Sequence, residues 1–244
     1  MLETKEKKIA EIVRDDYRTA DVFKKWGINF CCGGNLPLKE VCALQQLNQE
    51  AVEAELQLAI QPVHLPRATK FENWSVEFLV DYISHVHHMH VLETMPRLQE
   101  ALAKFISGHK KKYPQLEAIR DVFDLLVAEV IEHTAKEEQS LFPYVKQVGR
   151  AYREREKYGH LFVRTLSKPI QEVLEADNRR VSSLLTALRQ AADDYRFPAN
   201  ACTNHQVIYH RLKEVDADLV QHKHLENNIL YPKVLSMEKE LLKL

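Results

Sequence analysis

Apolar residues recur three and four positions apart along most of the chain, the period at which a helix buries one face. From about residue 73 onward this pattern predicts four long helices, which start near Ser75, Pro114, Pro169 and Asn204. Alternation typical of strands is scarce, and the 244 residues include only 6 glycines. The pattern therefore predicts an all-α protein whose long helices form an up-down four-helix bundle.

The chain ahead of these helices is organised differently. Residues 1–60 contain shorter apolar segments, which predict a small helical domain. Residues 61–72 include Pro62 and Pro66 and show no helical pattern, so we interpret them as a linker. The bundle is then expected to occupy residues 73–244.

Two of the predicted long helices carry one motif, His-x-x-x-Glu-x-x-x-Leu-aromatic-Pro, at residues 133–143 and 222–232. Each copy ends in a proline, which removes a backbone donor, so each helix is expected to kink there. Residues four apart share a helix face. The apolar rhythm that leads into each copy passes through its polar residues, which places four of them on buried faces: His133, Glu137, His222 and Glu226.

These buried polar residues predict a metal site. Burying polar or ionised groups without partners is costly, so a matched set on two helices suggests a shared partner between them. Imidazoles and carboxylates that face one another inside a bundle suit iron, manganese or zinc. The alternative is a hydrogen-bonded His–Glu pair that only fixes packing, and two copies in register favour the metal site over it.

The first long helix contains a dense group of histidines that could add a ligand. Helical spacing allows either His85 or His88 to share the apolar face with Leu92, and it does not choose between them. The group also includes His87 and His90.

A pair of adjacent cysteines, Cys31 and Cys32, precedes the only glycine pair in the chain. Neighbouring cysteines do not easily form an unstrained disulfide with each other, because their Cα atoms lie too close together. The glycines predict a flexible bend with thiols near the surface, so both cysteines are candidate functional residues. The alternative, equally supported by the residues, is packing in a small core. Cys42 and Cys202 are expected to pack in cores.

Composition narrows the possible partners and location. The chain has 34 basic and 35 acidic residues and a net charge of −1, which favours neither nucleic acid nor a membrane surface. The N-terminus lacks an apolar signal core, and no apolar run approaches membrane-spanning length. We therefore expect a cytosolic protein whose cysteines are thiols or metal and redox ligands.

Taken together, these motifs resemble one family, the RIC (repair of iron centres) proteins. The resemblance is carried by the Cys-Cys-Gly-Gly segment at residues 31–34, by the two His-x-x-x-Glu helices, and by Ala201-Cys202-Thr203 before the last helix. The resemblance implies a small di-cysteine domain followed by a hemerythrin-like bundle. It also implies a cofactor of two iron ions held by four histidines, one per helix, and two bridging glutamates.

Carried onto this chain, the family pattern assigns five metal ligands: His88, His133, Glu137, His222 and Glu226. His88 is chosen because it precedes Pro96 by the usual eight residues. The third-helix histidine does not appear, since Asn178 falls at its position. This departure predicts an asymmetric site with a weakened second iron, completed by Asp177 or water or left partly empty.

The resemblance implies repair of iron–sulfur clusters damaged by nitrosative or oxidative stress, either by delivering iron or by reacting with NO or O₂. The expected partners are iron–sulfur client proteins and diatomic ligands such as NO or O₂, and a homodimer with a second copy of the chain is an open alternative. Three other functions remain open: an O₂, NO or redox sensor or carrier, a ferritin-like oxidase or store, and a metal-poor scaffold. A ferritin-like site needs about four glutamates with Glu-x-x-His spacing, which this chain does not show.

Overall fold

The computed structural model describes residues 6–31, 34–61, 70–156, 159–166 and 170–243, without the side chains of residues 162, 165–166 and 170–178. The predictions made for Cys32, and for the side chains of Asp177 and Asn178, therefore lie outside the described residues.

The described residues fold into helices, without a β-strand among them, which confirms the all-α prediction. None of these helices is both long and apolar enough to cross a membrane. The α-helices are, in order, α1 (Ile9–Asp15), α2 (Thr19–Lys25), α3 (Leu38–Leu44), α4 (Gln49–Ala59), α5 (Val76–Tyr82), α6 (Met89–His109), α7 (Gln115–Lys136), α8 (Phe142–Glu154), α9 (Gly159–Leu166), α10 (Ile170–Ala191), α11 (Thr203–Leu225) and α12 (Tyr231–Leu241).

One compact unit combines the described residues before position 68 with residues 195–213. The apolar faces of α1 to α4 meet in a core that includes Phe23 and Leu56, and Val207 of α11 packs into the same core. Asn48 caps α4 by accepting a hydrogen bond from the Ala51 amide (3.1 Å). Tyr17 stacks on the His210 ring with 5.0 Å between ring centroids, so long-range contacts attach residues 195–213 to this unit.

The second unit contains residues 68–194 and 214–244 and holds the bundle. Ser75 caps its first helix by accepting from the Phe78 amide. Helix α7 packs against α6 and α10, while α8 packs against α5, α9 and α12. The buried apolar faces of these helices surround the polar motif residues. The proposed boundaries at residues 60 and 73 stay a prediction.

Three short π-helical segments interrupt the long helices: Ile83–His88 between α5 and α6, Glu137–Leu141 between α7 and α8, and Glu226–Leu230 between α11 and α12. The second and third lie directly before a proline in the first turn of the next helix, Pro143 or Pro232. A wider turn accommodates the backbone hydrogen bond that proline cannot make. The distortion that the prolines predicted therefore takes the form of π turns in helices that continue.

The space around two glycines, Gly149 and Gly108, gives a direct test of how closely α5 and α8 pack. A Cβ atom on Gly149 of α8 would lie 2.2 Å from Val76 Cγ2 of α5, so Gly149→Ala should lower the free energy of unfolding by about 1–3 kcal/mol. Gly108 in α6 has open space around the same position, so Gly108→Ala should instead stabilise by about 0.5–1 kcal/mol. Urea unfolding monitored by circular dichroism measures both. Equal effects of the two substitutions would contradict the close approach of α5 and α8.

Candidate metal centre

The five histidine and glutamate residues predicted as ligands all lie where an α-helix meets a π turn. His88 is the last residue of the first π segment, and Glu137 and Glu226 are the first residues of the second and third. His133 and His222 lie one turn earlier, in the last turns of α7 and α11. π turns widen the helix locally and occur often at functional sites. Here they turn polar side chains from three helices towards one point inside the bundle.

The donor atoms of this cluster converge closely. His88 Nε2 lies 3.1 Å from His222 Nε2 and 3.3 Å from Glu137 Oε2. His222 Nε2 lies 2.6 Å from Glu226 Oε1. One donor atom from each of these four residues lies within 4.8 Å of all the others. Donors bound to one ion at about 2.0–2.2 Å and at right angles are about 3 Å apart, so this spacing suits metal coordination.

His133 joins the cluster from the side of the two carboxylates. Its Nε2 atom lies 3.3 Å from Glu137 Oε2 and 3.7 Å from Glu226 Oε2. Both glutamates are therefore within reach of histidines from different helices, an arrangement in which each carboxylate could contact two ions. The structure thus brings all five predicted ligand residues together.

The cluster is almost closed to solvent. His88 and Glu226 are 0% exposed, His222 1%, Glu137 2% and His133 6%. Even so, Glu137 Oε2 and Glu226 Oε2 have no hydrogen-bond partner among the described residues. Buried carboxylate oxygens without hydrogen bonds are costly, and two that point into a set of imidazole nitrogens fit a metal ion. The nitrogen and oxygen donors suit iron, manganese or zinc.

The charges of the cluster depend strongly on one another. Burial and the charge of Glu226 raise the pKa of Glu137. Burial acts in the same direction on Glu226, but His222, His133 and His88 outweigh it and hold its pKa well below the usual range. Burial tends to lower the pKa of His88, yet Glu137, Glu226 and Glu138 raise it to about 10. The raised pKa of Glu137 favours its neutral form, whereas the lowered pKa of Glu226 favours its carboxylate.

Several residues around the cluster were not predicted as functional. The Tyr231 hydroxyl donates to Glu137 Oε1, which leaves Oε2 directed at the histidines. The Phe142 ring stacks on His88 (5.3 Å between centroids, 11° between planes). Tyr231 and Phe142 are the aromatic residues of the two motif copies, so the repeat itself was a signal for them.

His87, next to a predicted ligand, was also missed as a contact of the cluster. Its ring is buried and stacks on His222 (5.7 Å, 8°), and its Nδ1 lies 3.0 Å from Asp218 Oδ1. No sequence signal distinguished it from the other histidines of this helix. His85, the alternative to His88, is exposed, and its Nδ1 lies 2.9 Å from the Asp81 carbonyl oxygen instead.

Cys31, Cys42 and Cys202 belong to the first unit. Cys31 is half-buried and not in a disulfide, and its partner Cys32 is outside the described residues. Cys42 is buried in the core of the first unit, and Cys202 is half-buried. Burial raises the pKa of the Cys42 thiol, which favours its neutral form.

Comparison with known families finds two matches along the chain. Residues 5–60 match the ScdA_N profile, which is described as a domain of unknown function (DUF542). Residues 80–162 match the hemerythrin HHE cation binding domain and include His88, His133 and Glu137. A hemerythrin domain with a buried group of histidines and glutamates indicates iron binding. The prediction of a small N-terminal helical domain followed along the chain by a hemerythrin-like bundle is confirmed.

Curated relatives match almost end to end. The iron-sulfur cluster repair protein YtfE of Enterobacter sp. (strain 638) is 30% identical over 234 residues, which are 94% of this chain and 97% of the relative. The iron-sulfur cluster repair protein ScdA of Staphylococcus epidermidis is 30% identical over 243 residues, covering 95% and 99%. ScdA of Staphylococcus haemolyticus is 29% identical over 230 residues, covering 94% and 98%. As the resemblance to repair-of-iron-centres proteins predicted, the chain belongs to the ScdA and YtfE family of iron–sulfur cluster repair proteins.

Proposed function

We propose that this protein is a non-haem iron protein that takes part in the repair of iron–sulfur clusters damaged by nitrosative or oxidative stress. The observation that carries the proposal is the buried group of His88, Glu137, His222 and Glu226, with His133 beside the two carboxylates. The relatives that match almost the whole chain are named iron-sulfur cluster repair proteins. Iron–sulfur proteins are the clients in this proposal, and the cytosol is its location.

The residues that would hold iron in this proposal, as two ions, are His88, His133, Glu137, His222 and Glu226. The convergence of donors at 2.6–4.0 Å supports this assignment. The near-complete burial of the donors excludes water, and Tyr231 holds one oxygen of Glu137 so that the other faces the histidines. Iron bound there would supply binding and redox chemistry for a diatomic molecule such as NO or O₂, besides being the ion that repair requires.

The two iron positions are not expected to be equivalent. Three histidines come from the first, second and fourth long helices, whereas the third long helix has Asn178 at the family's histidine position. An amide oxygen is a weaker donor than imidazole nitrogen for iron. We therefore propose one firmly held iron and a second that leaves readily, a property that suits a protein which delivers iron.

The ligand assignment predicts a metal-dependent gain in stability that one substitution removes. Ferrous iron at 100 times its dissociation constant should stabilise the wild-type protein by about 2.7 kcal/mol. Glu137→Ala should abolish most of this gain, because it removes a carboxylate within 3.3 Å of both His88 and His133. Anaerobic thermal unfolding with and without iron gives the measurement.

Glu129 provides the matched control, since it is a buried glutamate on the same helix that pairs with Arg180 (2.7 Å) rather than with the cluster. Glu129→Ala should lower stability with and without iron alike and keep the iron-dependent gain. If Glu137→Ala also kept that gain, the assignment of Glu137 would be wrong.

The thiols of Cys31 and Cys32 are proposed to act in the repair step and not in holding iron. Replacing both by Ser should leave the iron content of the bundle unchanged while abolishing reactivation of a nitric-oxide-damaged iron–sulfur enzyme. Cys202→Ser is the control, and it should keep full repair activity. Repair activity that survives the double substitution would leave the two cysteines with a packing role. A wild-type protein that failed to reactivate the damaged enzyme would instead favour a sensor or carrier.

A further inference from the structure

One predicted ligand, His88, has a carboxylate bound to the far side of its ring. Its Nδ1 lies 2.9 Å from Glu138 Oε1, while its Nε2 faces His222 and Glu137 inside the cluster. A neutral imidazole carries one proton, and a carboxylate at Nδ1 keeps that proton there because only an N–H can donate to it. The Nε2 lone pair is then directed into the cluster, where a metal would bind.

The ring plane of His88 is fixed by a second contact. Phe142 stacks on it at 5.3 Å with 11° between the planes, and Phe142 lies one turn after Glu138 in the same long helix. A rotation of the imidazole about its Cβ–Cγ bond would break the hydrogen bond to Glu138 and the stacking together. The position of Nε2 therefore depends on the Glu138 carboxylate.

Glu138 differs from the ligands in its exposure. The side chain of His88 is 0% exposed, whereas that of Glu138 is 45% exposed. Glu138 and Phe142 also line an open cleft of about 450 Å³. The other lining residues are Val80, Ser84, His85, Met89, Pro143 and Lys146. Glu138 thus connects the buried ligand to the surface of the bundle.

An alternative role for the Glu138 carboxylate is a surface ion pair with a cation in the cleft. Among the lining residues, Lys146 is the lysine that could form such a pair. That cation, Lys146, instead forms an ion pair with Asp81 at 2.7 Å. The contact that the structure shows for the Glu138 carboxylate is the one to His88. The second motif copy has Asn227 at the corresponding position, so the contact is a property of this half of the cluster.

We propose that Glu138 is a positioning residue that sets how firmly His88 holds iron. The inference rests on the proposed function, because it requires iron at the cluster. Loss of a carboxylate partner of a metal-bound histidine typically lowers metal affinity by 10–100-fold. Weakening the Glu138 contact should therefore speed the release of iron without removing a ligand.

The test compares three variants loaded anaerobically with ferrous iron and mixed with an excess of a ferrous chelator. Glu138→Leu removes the acceptor, and should release iron about tenfold faster than the wild type. Glu138→Gln keeps an amide oxygen that accepts from Nδ1–H, and should restore a rate close to that of the wild type. Glu132→Leu is the control, since Glu132 is an exposed glutamate in the same long helix that pairs with Lys136 (2.8 Å).

Two further measurements separate positioning from a general loss of structure. The ligand-field absorption of the cobalt-substituted protein should change in Glu138→Leu and return in Glu138→Gln. Thermal unfolding of the metal-free proteins should differ little between Glu138→Leu and Glu132→Leu. If Glu138→Leu does not fold, Glu138→Asp, whose shorter side chain withdraws the acceptor, should show the same fast release.

The outcomes distinguish this inference from the proposed function. Wild-type protein that binds no iron would overturn the proposed function itself. Wild-type protein that binds iron, with Glu138→Leu or Glu138→Asp releasing it at the wild-type rate, would overturn only the role of Glu138. Equal acceleration by Glu138→Leu and Glu132→Leu would also overturn it, because the effect would then follow from lost surface charge.

Discussion

The structure of the bundle depends on one constraint, the placing of two carboxylates in a space that water does not reach. Glu137 and Glu226 are 2% and 0% exposed, and the charge of Glu226 adds to burial in raising the pKa of Glu137. Such a pair is tolerated only where positive charge is supplied at short range. Three histidines lie within 2.6–4.0 Å of the carboxylates and are placed to hold a metal ion together with them. Most of the features around the cluster serve to keep these five side chains in place.

The three π segments show how the backbone meets this requirement. In a helix of constant period, nearby residues that are not three or four positions apart point in different directions. A π turn contains one extra residue and so redirects the side chains at its ends. In two segments the following proline, Pro143 or Pro232, removes the backbone donor that would otherwise favour a regular turn. The segment that ends at His88 has no adjacent proline.

The sequence was sufficient to predict the helical bundle and the burial of the histidine and glutamate residues of the repeated motif. Both predictions depend only on the local spacing of apolar and polar residues. It could not choose between His85 and His88 from spacing alone, since both lie in a π segment where the period of 3.6 does not hold. The contact between Glu138 and His88 was missed because the apolar period places Glu137 on the buried face. Its neighbour Glu138 then falls on the side of the helix expected to face solvent. The attachment of residues 195–213 to the first unit rests on distant contacts such as that between Tyr17 and His210, which no local pattern encodes.

We propose that the buried cluster is an iron site whose two positions differ in strength. Anaerobic titration of the metal-free protein with ferrous iron, monitored by calorimetry, tests this most directly. We expect one tightly bound equivalent and a second that binds distinctly more weakly, with Asn178→His strengthening the second. Two equally tight equivalents in the wild type would contradict the asymmetry, and the absence of any tightly bound iron would contradict the claim itself.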